Sequence, residues 1–95
     1  MKSESGAKIT ERSILLIDDE KIVLESVNRI LAREGYKVSL ADSGKSGLEM
    51  FEKGEYTLVI TDLIMEGLDG VSVIKRVREA KPETKIINLY FSDEE

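Results

Sequence analysis

The residues best able to do chemistry are three aspartates that end apolar runs. Asp18 and Asp19 follow Ile14-Leu15-Leu16-Ile17, and Asp62 follows Leu58-Val59-Ile60-Thr61. Such runs read as strands, and a strand ending in a carboxylate delivers that acid to the carboxyl edge of an open α/β sheet, where a cation and a phosphoryl group can be held. Three carboxylates gathered there repel one another unless a cation or hydrogen-bond donors offset their charge. Magnesium suits them: it accepts one or two carboxylates, a backbone carbonyl and several waters, with positions left for phosphate oxygens. The chain has no cysteine and no histidine, so thiolate and imidazole ligands and nucleophiles are excluded, and no EF-hand loop is written for calcium. Any chemistry falls to carboxylates.

Composition sets further bounds. Ninety-five residues make one small domain with a thin stability margin. Fourteen basic against 19 acidic residues give a net charge of -5, which repels phosphate backbones and argues against nucleic acid as a partner of this segment. No apolar stretch is long enough for a signal peptide or a membrane span, so the expected location is the cytoplasm.

The elements that must position the acids follow from periodicity. Residues 1–12 are polar and aperiodic, and read as a loose tail, with folding expected from Ser13 to the end of the chain. After the acidic pair, Val23, Val27, Ile30 and Leu31 form a helical stripe over about Glu20 to Glu34, with Gly35 placed to end it. Tyr36 to Leu40 alternates apolar and polar, as a short, outermost strand would. Ser43 can then cap a second helix that carries Leu48 and Phe51 and stops at Gly54. Tyr56 to Thr61 reads as a strand covered on both faces. Asp69 and Gly70 open a third helix with Val73, Ile74, Val77 and Ala80 on one side, Pro82 lies just past it, and Lys85 to Phe91 reads as a fourth strand. Strands alternating with helices imply right-handed crossovers and a parallel sheet, for which the common doubly wound, flavodoxin-like order, here 2-1-3-4, is expected. In that order the first and third strands are neighbours about 4.8 Å apart, and their carboxyl ends form the switch-point crevice.

The segments ILLIDDE (Ile14 to Glu20) and DLIMEGLDG (Asp62 to Gly70) resemble the receiver domain of two-component response regulators, of the chemotaxis-regulator type, in register from about Ser13 to Ser92. The resemblance implies that Asp62 accepts a phosphoryl group from a sensor histidine kinase or a phosphotransfer protein. It implies too that Asp18 and Asp19, with Asp62 and the backbone carbonyl of Ile64, hold magnesium. A carboxylate can act as a nucleophile toward phosphorus, and catalysis there is largely positioning and charge neutralisation, so at most a self-catalysed phosphorylation is expected rather than a conventional enzyme.

Three departures accompany the matches. The family's usual proline after the loop methionine is Glu66 here, which is expected to loosen the loop and add charge. The family's phosphate-contacting hydroxyl at the end of the fourth strand falls on Tyr90, or on Ser92 with a local shift. The fourth helix, fifth strand and fifth helix, with their lysine and aromatic switch residue, have no counterpart before Glu95. An uncovered fourth strand bearing Ile86, Ile87, Leu89 and Phe91 leads to the expectation of a homodimer or a domain-swapped oligomer.

Each residue also has a plain structural reading. Asp18 or Asp19 could cap the first helix, Asp62 could be a turn residue, and Asp69 with Gly70 could serve only to start a helix. Met65 fits packing, and Lys75, Arg76 and Arg78 fit a solvated face. As functions, the phosphoacceptor stands beside a receiver-shaped interaction or self-association module without phosphotransfer. A haloacid-dehalogenase-like phosphohydrolase fits least, because it expects an acid two residues after a nucleophile on the first strand and a larger chain.

Overall fold

A computed structural model describes residues 13–89. Its elements run β1 (Ser13–Ile17), α1 (Lys21–Arg33), β2 (Lys37–Ala41), α2 (Gly44–Lys53), β3 (Leu58–Asp62), α3 (Gly70–Ala80) and β4 (Lys85–Leu89). The four strands form one parallel sheet of order β2-β1-β3-β4. Fold class and strand order are those expected. The loose tail expected over residues 1–12 lies outside the described residues, as do Tyr90, Phe91 and Ser92.

β1 has every residue buried because it is central and covered on both faces. Its side chains alternate between two cores, as the pleat requires. Leu15 and Ile17 pack with Ala41, Leu48, Phe51, Val59, Met65, Val73 and Val77 on the side of α2 and α3. Ile14 and Leu16 pack with Leu24 and Ile60 on the side of α1. Burying a side chain such as Leu15 or Ile17 contributes on the order of 2 kcal/mol, so β1 is the element on which both layers depend.

Several details differ from the periodicity reading. The α1 stripe centres on buried Leu24, with Val27 and Leu31 against the same core, whereas Ile30 is 61% exposed. Only one sheet face adjoins this helix, so a stripe one residue narrower suffices. Ala80 is exposed on the last turn of α3. β2 is an edge strand as expected, but at five residues it is as long as the others, and it begins at Lys37. Tyr36 is taken instead by the end of α1: its N–H donates to the Leu31 carbonyl and that of Gly35 to Ala32, with Gly35 at φ 95°. That pairing is a Schellman closure, which uses the left-handed conformation glycine adopts freely. β3 begins at Leu58 rather than Tyr56, whose ring stacks on Phe51 with centroids 6.5 Å apart.

Two helix starts are built as the sequence implies. The Ser43 hydroxyl accepts from the Ser46 N–H at 3.1 Å, and the Asp69 carboxylate accepts from the Ser72 N–H at 2.9 Å. The Asp69 carboxyl is held below its ordinary range chiefly by that bond from the Ser72 backbone. Gly70 lets α3 begin directly against β3: a Cβ there would run into the Asp62 carbonyl and lie 2.6 Å from the Leu63 Cα. Both obstacles are backbone, so relief requires moving the strand end. Gly70→Ala is therefore expected to lower unfolding stability by about 1–3 kcal/mol in urea titrations, and an unchanged midpoint would contradict this packing.

Candidate metal and phosphoryl site

The β1–β3 register sets Ile17 beside Thr61, so the next residues, Asp18 and Asp62, emerge together at the carboxyl ends of neighbouring strands. Asp19 completes the group, and one carboxylate oxygen from each of the three lies within 4.8 Å of the others. The three sequence-predicted acids are thus brought to one place.

Their surroundings are unequal. Asp18 is 1% exposed; its N–H donates to the Ala41 carbonyl and its Oδ1 accepts from the Glu20 N–H at 2.8 Å. Oδ2 of Asp18 is buried with no hydrogen-bond partner. An unpartnered buried carboxylate oxygen is costly, and a cation beside it removes the cost. Burial pushes the Asp18 carboxyl up from its ordinary value; the Glu20 amide opposes this, and the charges of Asp62, Asp19 and Glu20 add to the rise. Asp19 is exposed, and its Oδ2 accepts from the Glu66 N–H at 3.3 Å. Asp62 is half-buried, with Oδ1 accepting from the Ile64 N–H at 3.3 Å.

The capping alternative for the acidic pair does not hold. The residue at the N-cap of α1 is Glu20, without a side-chain cap bond. Asp18 instead orients the turn that leads into the helix, and Asp19 reaches across to the loop after β3. Met65 is buried in the core, and Lys75, Arg76 and Arg78 are exposed, as their plain readings had it. Ile64 carries an outward side chain, 71% exposed. Tyr90 and Ser92, the expected phosphate contacts, lie outside the described residues.

Sequence reasoning missed the backbone donors. The amides of Glu20, Ile64 and Glu66 each take one oxygen of the three aspartates, and side-chain identity carries no signal for an N–H that every residue except proline owns. Glu66 was expected to loosen its loop, yet its amide ties that loop to Asp19. Gly67 turns the next step with φ 77°, and the Gly70 N–H closes the loop on the Leu63 carbonyl at 3.1 Å.

The response regulator receiver domain family matches residues 14–95. The chain belongs to that family. Its receiver fold carries a signalling role in two-component systems, and receivers bind magnesium at an acidic pocket of this kind. The transcriptional regulatory protein DltR of Streptococcus agalactiae is 46% identical over 76 residues, which is 80% of this chain and 34% of that protein. ResD of Bacillus subtilis is 35% identical over 85 residues, 90% of this chain and 35% of its own length. The receiver therefore spans about a third of the curated relatives it matches. Among solved structures, the response regulator TrrA of Thermotoga maritima, in complex with magnesium and beryllofluoride, aligns with TM-score 0.83 and 36% identity over 86% of this chain and 71% of that one. Chemotaxis protein CheY4 of Vibrio cholerae aligns with TM-score 0.82 and 26% identity over 88% and 72%. No helix among the described residues is long and apolar enough to cross a membrane.

The raised Asp18 pKa makes a signed prediction. A carboxyl whose folded pKa lies above its unfolded value of 3.8 favours folding most when protonated, and that contribution is lost as pH rises through the folded pKa. Asp18→Asn keeps the acceptor for the Glu20 amide and removes the buried charge. Without divalent metal, it is expected to raise the thermal midpoint at pH 7, with the advantage shrinking below pH 3.8. Equal midpoints at both pH values would contradict the burial argument.

Proposed function

We propose that the chain is a cytoplasmic phosphoacceptor receiver, in which Asp62 takes a phosphoryl group from a phosphohistidine of a sensor kinase or phosphotransfer protein and magnesium is required. The convergence of Asp18, Asp19 and Asp62, with the buried Oδ2 of Asp18 unpartnered, carries this reading. The donor set is all oxygen, which suits a hard cation, and Asp18, Asp19, Asp62 and the Ile64 carbonyl are the groups that would hold it. The binding of magnesium and beryllofluoride by TrrA supports the same assignment.

The chain's own residues supply orientation. The Ile64 amide fixes Oδ1 of Asp62 and leaves Oδ2 as the attacking oxygen. That oxygen forms a bond to phosphorus as the phosphorus–nitrogen bond of the donor breaks, and the imidazole departs. When bound, magnesium neutralises charge on the transferring oxygens. Asp18 and Asp19 keep their carboxylates facing the acceptor by bonding to the amides of Glu20 and Glu66. Tyr90 or Ser92 is assigned the phosphate contact by position alone. The charge of -5 supports a protein partner rather than nucleic acid.

Incubation with acetyl phosphate and magnesium is expected to add one phosphoryl group by intact mass, labile to hydroxylamine and absent in Asp62→Asn. No adduct at saturating magnesium would overturn the assignment.

Self-association is a second reading, favoured by β4, which with β2 is one of the two edge strands among the described residues and carries Ile87 at 47% exposure. An open apolar edge pairs readily with another chain. Light scattering over a concentration series should then show a homodimer or a domain-swapped oligomer, and a concentration-independent monomer would contradict it.

A further inference from the structure

The contact between Glu66 and Asp19 joins residues 47 positions apart and bridges the two halves of the acidic site. Asp19 follows β1, whereas Glu66 belongs to the loop that leaves the acceptor strand β3. Asp19 is exposed and lies beyond the strand, whereas Glu66 is exposed between buried Met65 and partly buried Leu68, with Gly67 turning the loop at φ 77°. The loop is anchored by those two side chains and by the Gly70 N–H on the Leu63 carbonyl. Between those anchors, the Glu66 amide is set to face the acidic pair.

We infer that the backbone N–H of Glu66 is a positioning group for the cation site, holding Oδ2 of Asp19 so that its other oxygen is presented toward Asp18 and Asp62. The donor acts in two ways. It fixes a carboxylate that would otherwise rotate freely, which lowers the ordering cost of binding a cation. It also partly offsets the negative charge of Asp19 while no cation is bound, easing repulsion among the three acids. Only a residue other than proline can do this, because proline has no N–H. The glutamate side chain is not required for the contact. This assignment rests on the magnesium reading above for its consequence, though not for the contact itself.

Two measurements separate those parts. In metal-free 15N-labelled chain, the Glu66 amide proton is expected to exchange with solvent about threefold to tenfold more slowly than the same proton in Asp19→Ala, the protection one modest hydrogen bond confers. Equal exchange in the two chains overturns the contact whatever the metal does. For the consequence, magnesium is titrated calorimetrically into Glu66→Ala, which keeps the N–H, and into Glu66→Pro, which lacks it. The proline variant should bind about threefold to tenfold more weakly than the alanine variant, with circular dichroism melts of both confirming the folded state. Equal affinities in folded variants overturn the positioning role. Absence of magnesium binding by the unaltered chain overturns both the positioning role and the proposed function, and the exchange result tells that failure apart from loss of the contact.

Discussion

Carboxylates at the ends of adjacent parallel strands cannot separate without breaking the strand pairing that put them there. In this receiver, Asp18 and Asp62 leave β1 and β3 at the same level, and β1 is buried on both faces in two cores. Oxygens within 4.8 Å of one another repel by about 1 to 3.5 kcal/mol per ionised pair, according to how well water screens them. The fold tolerates that repulsion because burying the surrounding apolar side chains stabilises it by more. Burial at the end of β1 leaves Oδ2 of Asp18 unpartnered and is the main cause of its raised pKa, to which the neighbouring acids add.

The rest of the site answers to this concentration of negative charge. Three backbone amides, from Glu20, Ile64 and Glu66, each donate to one of the aspartates. Gly70 allows α3 to start hard against Asp62, so the loop from Leu63 to Asp69 must fold back over the strand ends rather than extend away. Met65 pins that loop into the core beside Val73 and Val77. Packing and chemistry are thus linked through one short segment: what fixes the loop also aims its donors at the acids.

Most of the fold was legible because burial leaves a direct mark on residue choice. The continuous run Ile14 to Ile17, the Ser43 and Asp69 caps and the turn at Gly35 each have a local cause that the sequence states. The three aspartates were legible for the same reason, standing where apolar strands stop. What the sequence hid was set by neighbours. Leu24 and Ile30 are equally apolar, and only the position of the sheet decides that the first is buried and the second exposed. Tyr36 looked like strand, but its amide closes α1. The donors to the acids are main-chain groups, and a glutamate at position 66 suggested charge and looseness where the geometry has a tether.

In the cation site proposed for Asp18, Asp19 and Asp62, a bound ion would relieve the repulsion among the three acids. Thermal unfolding with and without millimolar magnesium tests it most directly. Magnesium is expected to raise the midpoint of the unaltered chain, with a dependence on concentration that fits one site, and Asp18→Asn is expected to abolish the rise. A magnesium-independent midpoint in the unaltered chain, or an equal rise in Asp18→Asn, would contradict it.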